Sequence, residues 1–121
     1  MENPLNYKTA NTLKWTYEDY LLFPEDGNRH ELIEGERYMS PSPITRHQKI
    51  LINILKCYLK RTISGHIFCA PMDVVLSETN VVQPDLLWIS STRAFIIKEK
   101  NIQGAPDLII EILSDSTRKI D

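Results

Sequence analysis

The sequence predicts a mixed α/β fold of the α+β type, in which helices lie against a mixed sheet. The first observation is an amphipathic helix over residues 45–63, where apolar residues recur at the spacing of one helix face. The second is the order of elements, since short strand patterns precede and follow this helix and a further short helix precedes the last strand. With 121 residues, the chain is about one domain long. We therefore expect residues 1–14 to be a loose lead-in and residues 15–121 to form a single domain.

The remaining elements are short and are separated by turn residues. Thr16 can cap a helix that ends before Pro24, with Asp19 as the partner in a capping box. Two strand patterns on either side of Gly35 predict a β-hairpin. Further strands are predicted at 67–70, 72–77, 81–89 and 108–113, with a short helix at 91–97.

Composition and charge exclude several classes of protein. Apolar residues make up 42% of the chain and charged residues 25%, and the formal net charge is −2, which argues against binding nucleic acid by charge alone. No apolar run approaches the roughly 20 residues needed to span a bilayer, and the first residues lack the pattern of a signal peptide. We therefore expect a cytoplasmic protein that does not bind membranes.

Glu111 stands out because it follows Leu108, Ile109 and Ile110 in a pattern typical of a buried strand. A buried carboxylate is costly unless a cation or hydrogen-bond donors compensate its charge. Asp107 lies on the same strand, but four residues at about 3.3 Å each place it roughly 13 Å away, too far to share an ion. The alternative is that Glu111 lies at a strand end, where it faces solvent or pairs with an arginine.

Asp85 is the better partner for Glu111. If the helix at 91–97 is a crossover that returns the chain beside the strand of Asp85, the two strands lie about 4.8 Å apart. A hard divalent cation such as Mg²⁺ or Mn²⁺ could then bind both carboxylates and a backbone carbonyl, for which we expect that of Ile112, with open positions for water and phosphate. This arrangement is typical of phosphodiester hydrolysis.

Four short blocks of sequence, in order, resemble a known family. Pro84-Asp85, followed after a helix by Glu111-x-Leu113, resembles the Pro-Asp … Asp/Glu-x-Lys signature of restriction-endonuclease-like nucleases. More closely, the chain from about residue 16 to its end resembles the Uma-type endonuclease family. The blocks are ELIEGE at 31–36, SPITRHQ at 42–48, VQPDL at 82–86 and GAPDLIIEILSDST at 104–117.

The resemblance implies a restriction-endonuclease-like core, a nucleic acid substrate, most simply DNA, and Asp85 and Glu111 as metal ligands. It also implies active-site roles for Glu31 and His47, whose alternatives are a hairpin carboxylate and a core histidine. Gln83, inside a matched block, either binds substrate or completes its strand.

Two departures from the family pattern bear on catalysis. Leu113 occupies the position of the superfamily's lysine, and the family resemblance implies a lysine from a following helix that would begin near Ser116. Lys119 is then the candidate, with Arg118 beside it. The sheet would be truncated after the strand of Glu111, and its unpaired edge predicts a homodimer.

Two functions remain open at this point. The first is a divalent-metal-dependent endonuclease. The second is a non-catalytic domain that keeps the same fold and binds nucleic acid or protein.

Overall fold

The computed structural model describes residues 14–41, 44–61, 63–113 and 118–120, and these confirm the predicted mixed α/β class. The predicted lead-in falls outside the described residues except for Lys14. Among the described residues, no helix has the length and apolar character needed to cross a membrane. The helices are α1 (Tyr17–Tyr20), α2 (Thr45–Lys60) and a 3₁₀ helix (Ser91–Ile96); the strands are β1 (Arg29–Ile33), β2 (Glu36–Ser40), β3 (His66–Cys69), β4 (Val74–Ser77), β5 (Asn80–Val82), β6 (Leu86–Ile89), β7 (Ile102–Gln103), β8 (Leu108–Ile110) and β9 (Arg118–Ile120).

The strands form two sheets that meet at Pro84. The larger sheet has the order β7-β4-β5-β1-β2-β9 and is antiparallel except where β4 pairs with β7. The smaller sheet has the order β3-β6-β8 and is antiparallel. The strand predicted over 81–89 with an interruption at Pro84 is two strands of different sheets, because Pro84 has no backbone N–H to donate to a ladder and the chain changes sheet there. Residues 83–85 thus join the two sheets.

The β1–β2 hairpin is confirmed, and its turn explains its register. Glu34 and Gly35 have φ angles of +51° and +78°, as in the two-residue type I′ turn that suits the twist of paired strands. A Cβ atom on Gly35 would lie 2.4 Å from the Cβ of Lys14, so glycine is required for space as well as for conformation. This turn pairs Glu31 with Tyr38, whose side chains therefore share one face of the sheet.

Two apolar clusters hold these elements together. The first lies between α1 and the strands β1 and β5, and its buried members are Trp15, Tyr20, Phe23, Leu32 and Val81. The capping box that starts α1 is formed as predicted, with the Thr16 N–H donating to Asp19 Oδ2 at 2.9 Å. The second cluster joins β4 and β7 of the larger sheet to β6 and the 3₁₀ helix, through Val74, Leu87, Ile89, Ile96 and Ile102. The junction of the two sheets is therefore anchored on both sides.

Helix α2 is confirmed, and its apolar side is only partly covered. It ends at Lys60, a little before the predicted end. On this side His47 is buried, Leu51 and Ile54 are partly buried, and Leu59 is 73% exposed. The helix therefore contributes one buried side chain, a histidine, to the junction.

Strand β8 differs from its prediction in both burial and direction. Leu108 and Ile109 are 52% and 47% exposed, because among the described strands β8 is an edge strand that pairs with β6 alone. The prediction of a strand covered on both faces is therefore wrong. So is the predicted crossover between the strands of Asp85 and Glu111, since β6 and β8 are antiparallel.

Candidate functional site

Asp85 is the most buried acidic side chain at the junction of the sheets, with 1% of it exposed. It directly follows Pro84 and precedes β6. Its Oδ2 atom accepts a hydrogen bond of 2.7 Å from the Ile112 N–H, which comes from the chain just after β8. A carboxylate in such a place requires compensation of its charge.

Glu111 lies across the ladder from Asp85, as predicted. The β6–β8 register pairs Leu86 with Ile110, so Asp85 and Glu111 occupy the next positions at the same end of the two strands. Asp107 lies at the other end, where its Oδ2 accepts a hydrogen bond from the Ser90 N–H. The structure thus groups the two carboxylates predicted to act together and excludes Asp107.

The cation between these carboxylates is Arg29, which the sequence analysis does not identify. Its Nη2 atom donates to Asp85 Oδ1 at 2.7 Å, and its Nη1 atom lies 3.7 Å from Glu111 Oε2. Nη1 also donates to the backbone carbonyl of Gln83. Of the alternatives left open for Glu111, the structure thus shows pairing with an arginine. The signal in the sequence is the spacing of Arg29 and Glu31, which places both on one face of β1.

Glu31 supplies a third carboxylate to the same region. Its Oε2 atom accepts a hydrogen bond of 2.8 Å from the Gln83 N–H, two residues before Asp85. Burial raises the pKa of Glu31, and the charge of Asp85 adds to this effect, against the opposing effects of the Gln83 N–H and Arg29. Glu31 is therefore electrostatically coupled to the buried aspartate.

The pKa of Glu111 is also raised, although 47% of its side chain is exposed. Burial raises its pKa most, the negative charge of Asp85 adds to this, and Arg29 only partly opposes it. Glu31, Asp85 and Glu111 thus share one arginine, and burial is the main cause of the raised pKa of both glutamates.

His47 reaches the buried aspartate from helix α2. Its Nε2 atom lies 3.3 Å from Asp85 Oδ2, and 8% of the residue is exposed. Because a carboxylate oxygen is an acceptor, the favourable arrangement has a proton on Nε2. The Nδ1 atom is buried without a hydrogen-bond partner among the described residues. His47 is thus a buried histidine beside an acidic partner, and its active-site role stays a prediction.

The Gln83 side chain contacts Tyr20 and Asp73 rather than the acidic residues at the junction. Its Nε2 atom donates to the hydroxyl of Tyr20 at 2.9 Å and to Asp73 Oδ1 at 2.8 Å. The Tyr20 hydroxyl also lies within hydrogen-bond distance of Asp73 Oδ1, and burial, followed by the charge of Asp73, raises the pKa of Tyr20. Gln83 is thus held by side chain and backbone, and its role as a substrate contact stays a prediction.

Lys119 lies in a strand rather than in the expected helix. Residues 114–117, where that helix would begin, fall outside the described residues, and β9 pairs with β2 so that Lys119 is opposite Tyr38. Its Nζ atom lies 2.8 Å from Glu36 Oε2. Two strand spacings of about 4.8 Å separate its backbone from that of Glu31, on the same face of the sheet. Leu113, at the position of the superfamily's lysine, is 96% exposed.

The carboxylates at the junction fit a small hard cation. Carboxylate oxygens are the ligands that Mg²⁺ prefers, and Mg²⁺ commonly takes only one or two from the protein and keeps several waters. Among the described residues, no group of three or more His, Cys, Asp or Glu side chains is arranged to hold a metal ion. Asp85 and Glu111, at facing positions of neighbouring strands, are two carboxylates, the type and number of protein ligands that Mg²⁺ takes.

Comparison with known families identifies the family of this chain. A family model described as "Putative restriction endonuclease" matches residues 17–121, which span every described helix and strand. No curated protein sequence matches the chain significantly. Since the family model covers most of the chain, this protein belongs to the Uma2 family.

Proposed function

We propose that this chain is a divalent-metal-dependent endonuclease that hydrolyses phosphodiester bonds of nucleic acid, most simply DNA. The observation that supports this most is that Glu31, Asp85 and Glu111 are grouped at the junction of the sheets around one arginine. Family membership supports the same reaction class. Asp85 and Glu111 would hold Mg²⁺ or Mn²⁺, which when bound activates water and neutralises charge on the phosphate.

The neighbouring side chains have distinct parts in this proposal. His47 orients Asp85 through its Oδ2 atom, opposite the oxygen that faces Arg29. Glu31 holds the backbone of Gln83 and so fixes the approach to Asp85. Lys119 is the candidate for the lysine that stabilises negative charge on the phosphate, and to act so it would exchange Glu36 for the substrate.

Metal binding is the first test of this function. We expect millimolar Mn²⁺ to raise the melting temperature of the wild-type protein and Glu111→Gln to abolish the rise, because the variant loses one of two charged ligands. Asp107→Asn is the matched control and should keep the rise. A wild-type melting curve that Mn²⁺ leaves unchanged would contradict the metal site.

Cleavage requires a separate assay on linear and circular DNA and on RNA with Mg²⁺ or Mn²⁺. Loss of cleavage in Glu111→Gln and Lys119→Met, with Lys98→Met unaffected, would support the assigned roles. Metal binding without cleavage of any substrate would instead favour a non-catalytic nucleic-acid-binding domain. The observation that favours this second candidate is that Leu113 replaces the superfamily's lysine while Lys119 is paired with Glu36.

We also propose that the protein acts as a homodimer. Apolar side chains of α2 and β8 are about half exposed or more, among them Ile52, Leu59 and Leu108. Such surface is commonly covered by a second subunit. A mass of one chain by light scattering would exclude the dimer.

A further inference from the structure

Arg29 occupies the position at which a cation would balance Asp85 and Glu111. Its side chain is 16% exposed, and its two terminal nitrogens face the two carboxylates at 2.7 Å and 3.7 Å. The backbone carbonyl of Gln83 accepts a further hydrogen bond from the same guanidinium. A guanidinium held at three points is a fixed counter-ion rather than a mobile surface group.

The two oxygens of Asp85 are not equally available to a metal ion. Oδ2 is already occupied by the Ile112 N–H at 2.7 Å and by His47 Nε2 at 3.3 Å. Oδ1 has the Arg29 Nη2 atom at 2.7 Å. A metal ion that takes both Asp85 and Glu111 must therefore approach on the side where Arg29 lies, and two positive charges at such short range repel each other.

A second arginine, Arg93, makes similar contacts away from the acidic cluster. Arg93 lies 3.5 Å from Asp107 and donates to the backbone carbonyl of Ala105. This pair is at the opposite end of the β6–β8 ladder from Glu111. Arg93 thus resembles Arg29 in its contacts and differs in its distance from the acidic cluster.

We infer that Arg29 is a built-in competitor of the divalent cation, which must displace its guanidinium from Asp85 and Glu111 before it binds. The inference rests on the proposed function, because it concerns regulation of the same site. Arg29 stabilises the metal-free protein and weakens its affinity for metal, so the site closes when divalent cations are scarce. The carbonyl of Gln83 keeps the released side chain near the site.

Titration calorimetry with Mn²⁺ on the full chain tests this inference. Arg29→Met keeps the length of the side chain and removes its charge, and Arg93→Met is the matched control. We expect Arg29→Met to bind Mn²⁺ about tenfold more tightly than the wild type, the scale of one charged hydrogen bond, and to melt at a lower temperature without metal. Arg93→Met should bind Mn²⁺ as the wild type does.

The outcomes separate this inference from the proposed function. If the wild type binds Mn²⁺ and Arg29→Met binds it no more tightly, Arg29 does not compete, and the metal site stands. If only Arg29→Met binds, Arg29 competes so strongly that the native chain is not a metal enzyme. If neither protein binds, both proposals fail.

A spectroscopic measurement on the wild type keeps the inference testable if Arg29→Met does not fold. In ¹H–¹⁵N spectra of arginine side chains, Mg²⁺ should shift the resonances of Arg29 towards those of a solvated guanidinium and leave those of Arg93 unchanged. Resonances of Arg29 that stay unchanged at a Mg²⁺ concentration that raises the melting temperature would overturn the inference.

Discussion

The two Pro-Asp dipeptides of this chain fasten neighbouring antiparallel strands in the same way. Asp85 precedes β6 and accepts the Ile112 N–H beyond the end of β8, while Asp107 precedes β8 and accepts the Ser90 N–H beyond the end of β6. Both hydrogen bonds are 2.7 Å long. One aspartate thus links the two strands at each end of the β6–β8 ladder.

Each of these aspartates also forms an ion pair with an arginine. Arg29 pairs with Asp85 and Arg93 with Asp107, and each donates to the backbone carbonyl of the residue before the proline. A Pro-Asp pair with an arginine is therefore a structural device that this fold uses twice. By itself it indicates no chemistry.

The surroundings distinguish the two ends. The Asp85 side chain is 1% exposed and lies beside His47 and two carboxylates, whereas that of Asp107 is 27% exposed. Burial raises the pKa of Glu111, with Asp85 adding to it, while the pKa of Asp107 is lowered by the Ser90 N–H and by Arg93. The Asp107 carboxylate is exposed and held in its ionised form, whereas the Asp85 end is buried among carboxylates, and only the second end is a candidate site.

The largest difference between the two ends should appear in stability. Asp85→Asn leaves Arg29 nearly buried without its carboxylate, which typically costs about 3–5 kcal/mol. Asp107→Asn should cost much less, because both partners of that pair are more exposed. Urea unfolding of both variants measures this difference. Equal losses would mean that the Asp85 pair is no more buried in solution than the Asp107 pair.

The candidate site could be predicted in part because its acids lie in short local patterns. Glu111 was identifiable from its apolar neighbours, and Asp85 from the spacing that excludes Asp107, although the expected crossover is absent and their strands are antiparallel. The role of His47 was implied by the family resemblance. Arg29 was not identifiable, since its spacing from Glu31 places it on one face of β1 but does not indicate a partner 56 residues away.

The fold shows the same limit. Helix α2 and the β1–β2 hairpin depend on residues close in sequence, and both were predictable. The change of sheet at Pro84 depends on which strands the chain meets later, and the burial of β8 depends on what lies beyond its edge. Such features depend on contacts between residues that are distant in the sequence, and local patterns in a single sequence predict them poorly.

A second difference between the ends lies in the residue before the proline. The Gln83 side chain is held by Tyr20 and Asp73, whereas Ala105 has no side-chain group to hold. Tyr20→Phe should therefore cost about 1–2 kcal/mol of unfolding free energy, the scale of one buried hydrogen bond. Tyr58→Phe, which removes an exposed hydrogen bond to the Ile63 carbonyl, is the control and should cost less. If the two variants lose the same stability, the buried network does not support Gln83.

The smallest expected effect, and the one most specific to charge, is the pH dependence of stability without metal. The pKa of Glu111 in the folded protein is raised above its ordinary value of 4.5, so its ionisation costs stability. This cost is absent below the ordinary pKa and grows as the pH rises through the folded pKa. Glu111→Gln cannot ionise and should therefore be more stable than the wild type at pH 7 and equal to it at low pH.

Asp107→Asn should show the opposite sign. The pKa of Asp107 is lowered below its ordinary value of 3.8, so its ionised form stabilises the fold above that pH, and the contribution is lost as the pH falls through the folded pKa. The variant should thus be less stable than the wild type at pH 7, with the gap closing in acid. Thermal unfolding in a chelator from pH 3 to 7 measures both curves. Curves of the same sign would show that Arg29 already balances the acidic cluster, which would remove the electrostatic reason for a metal ion.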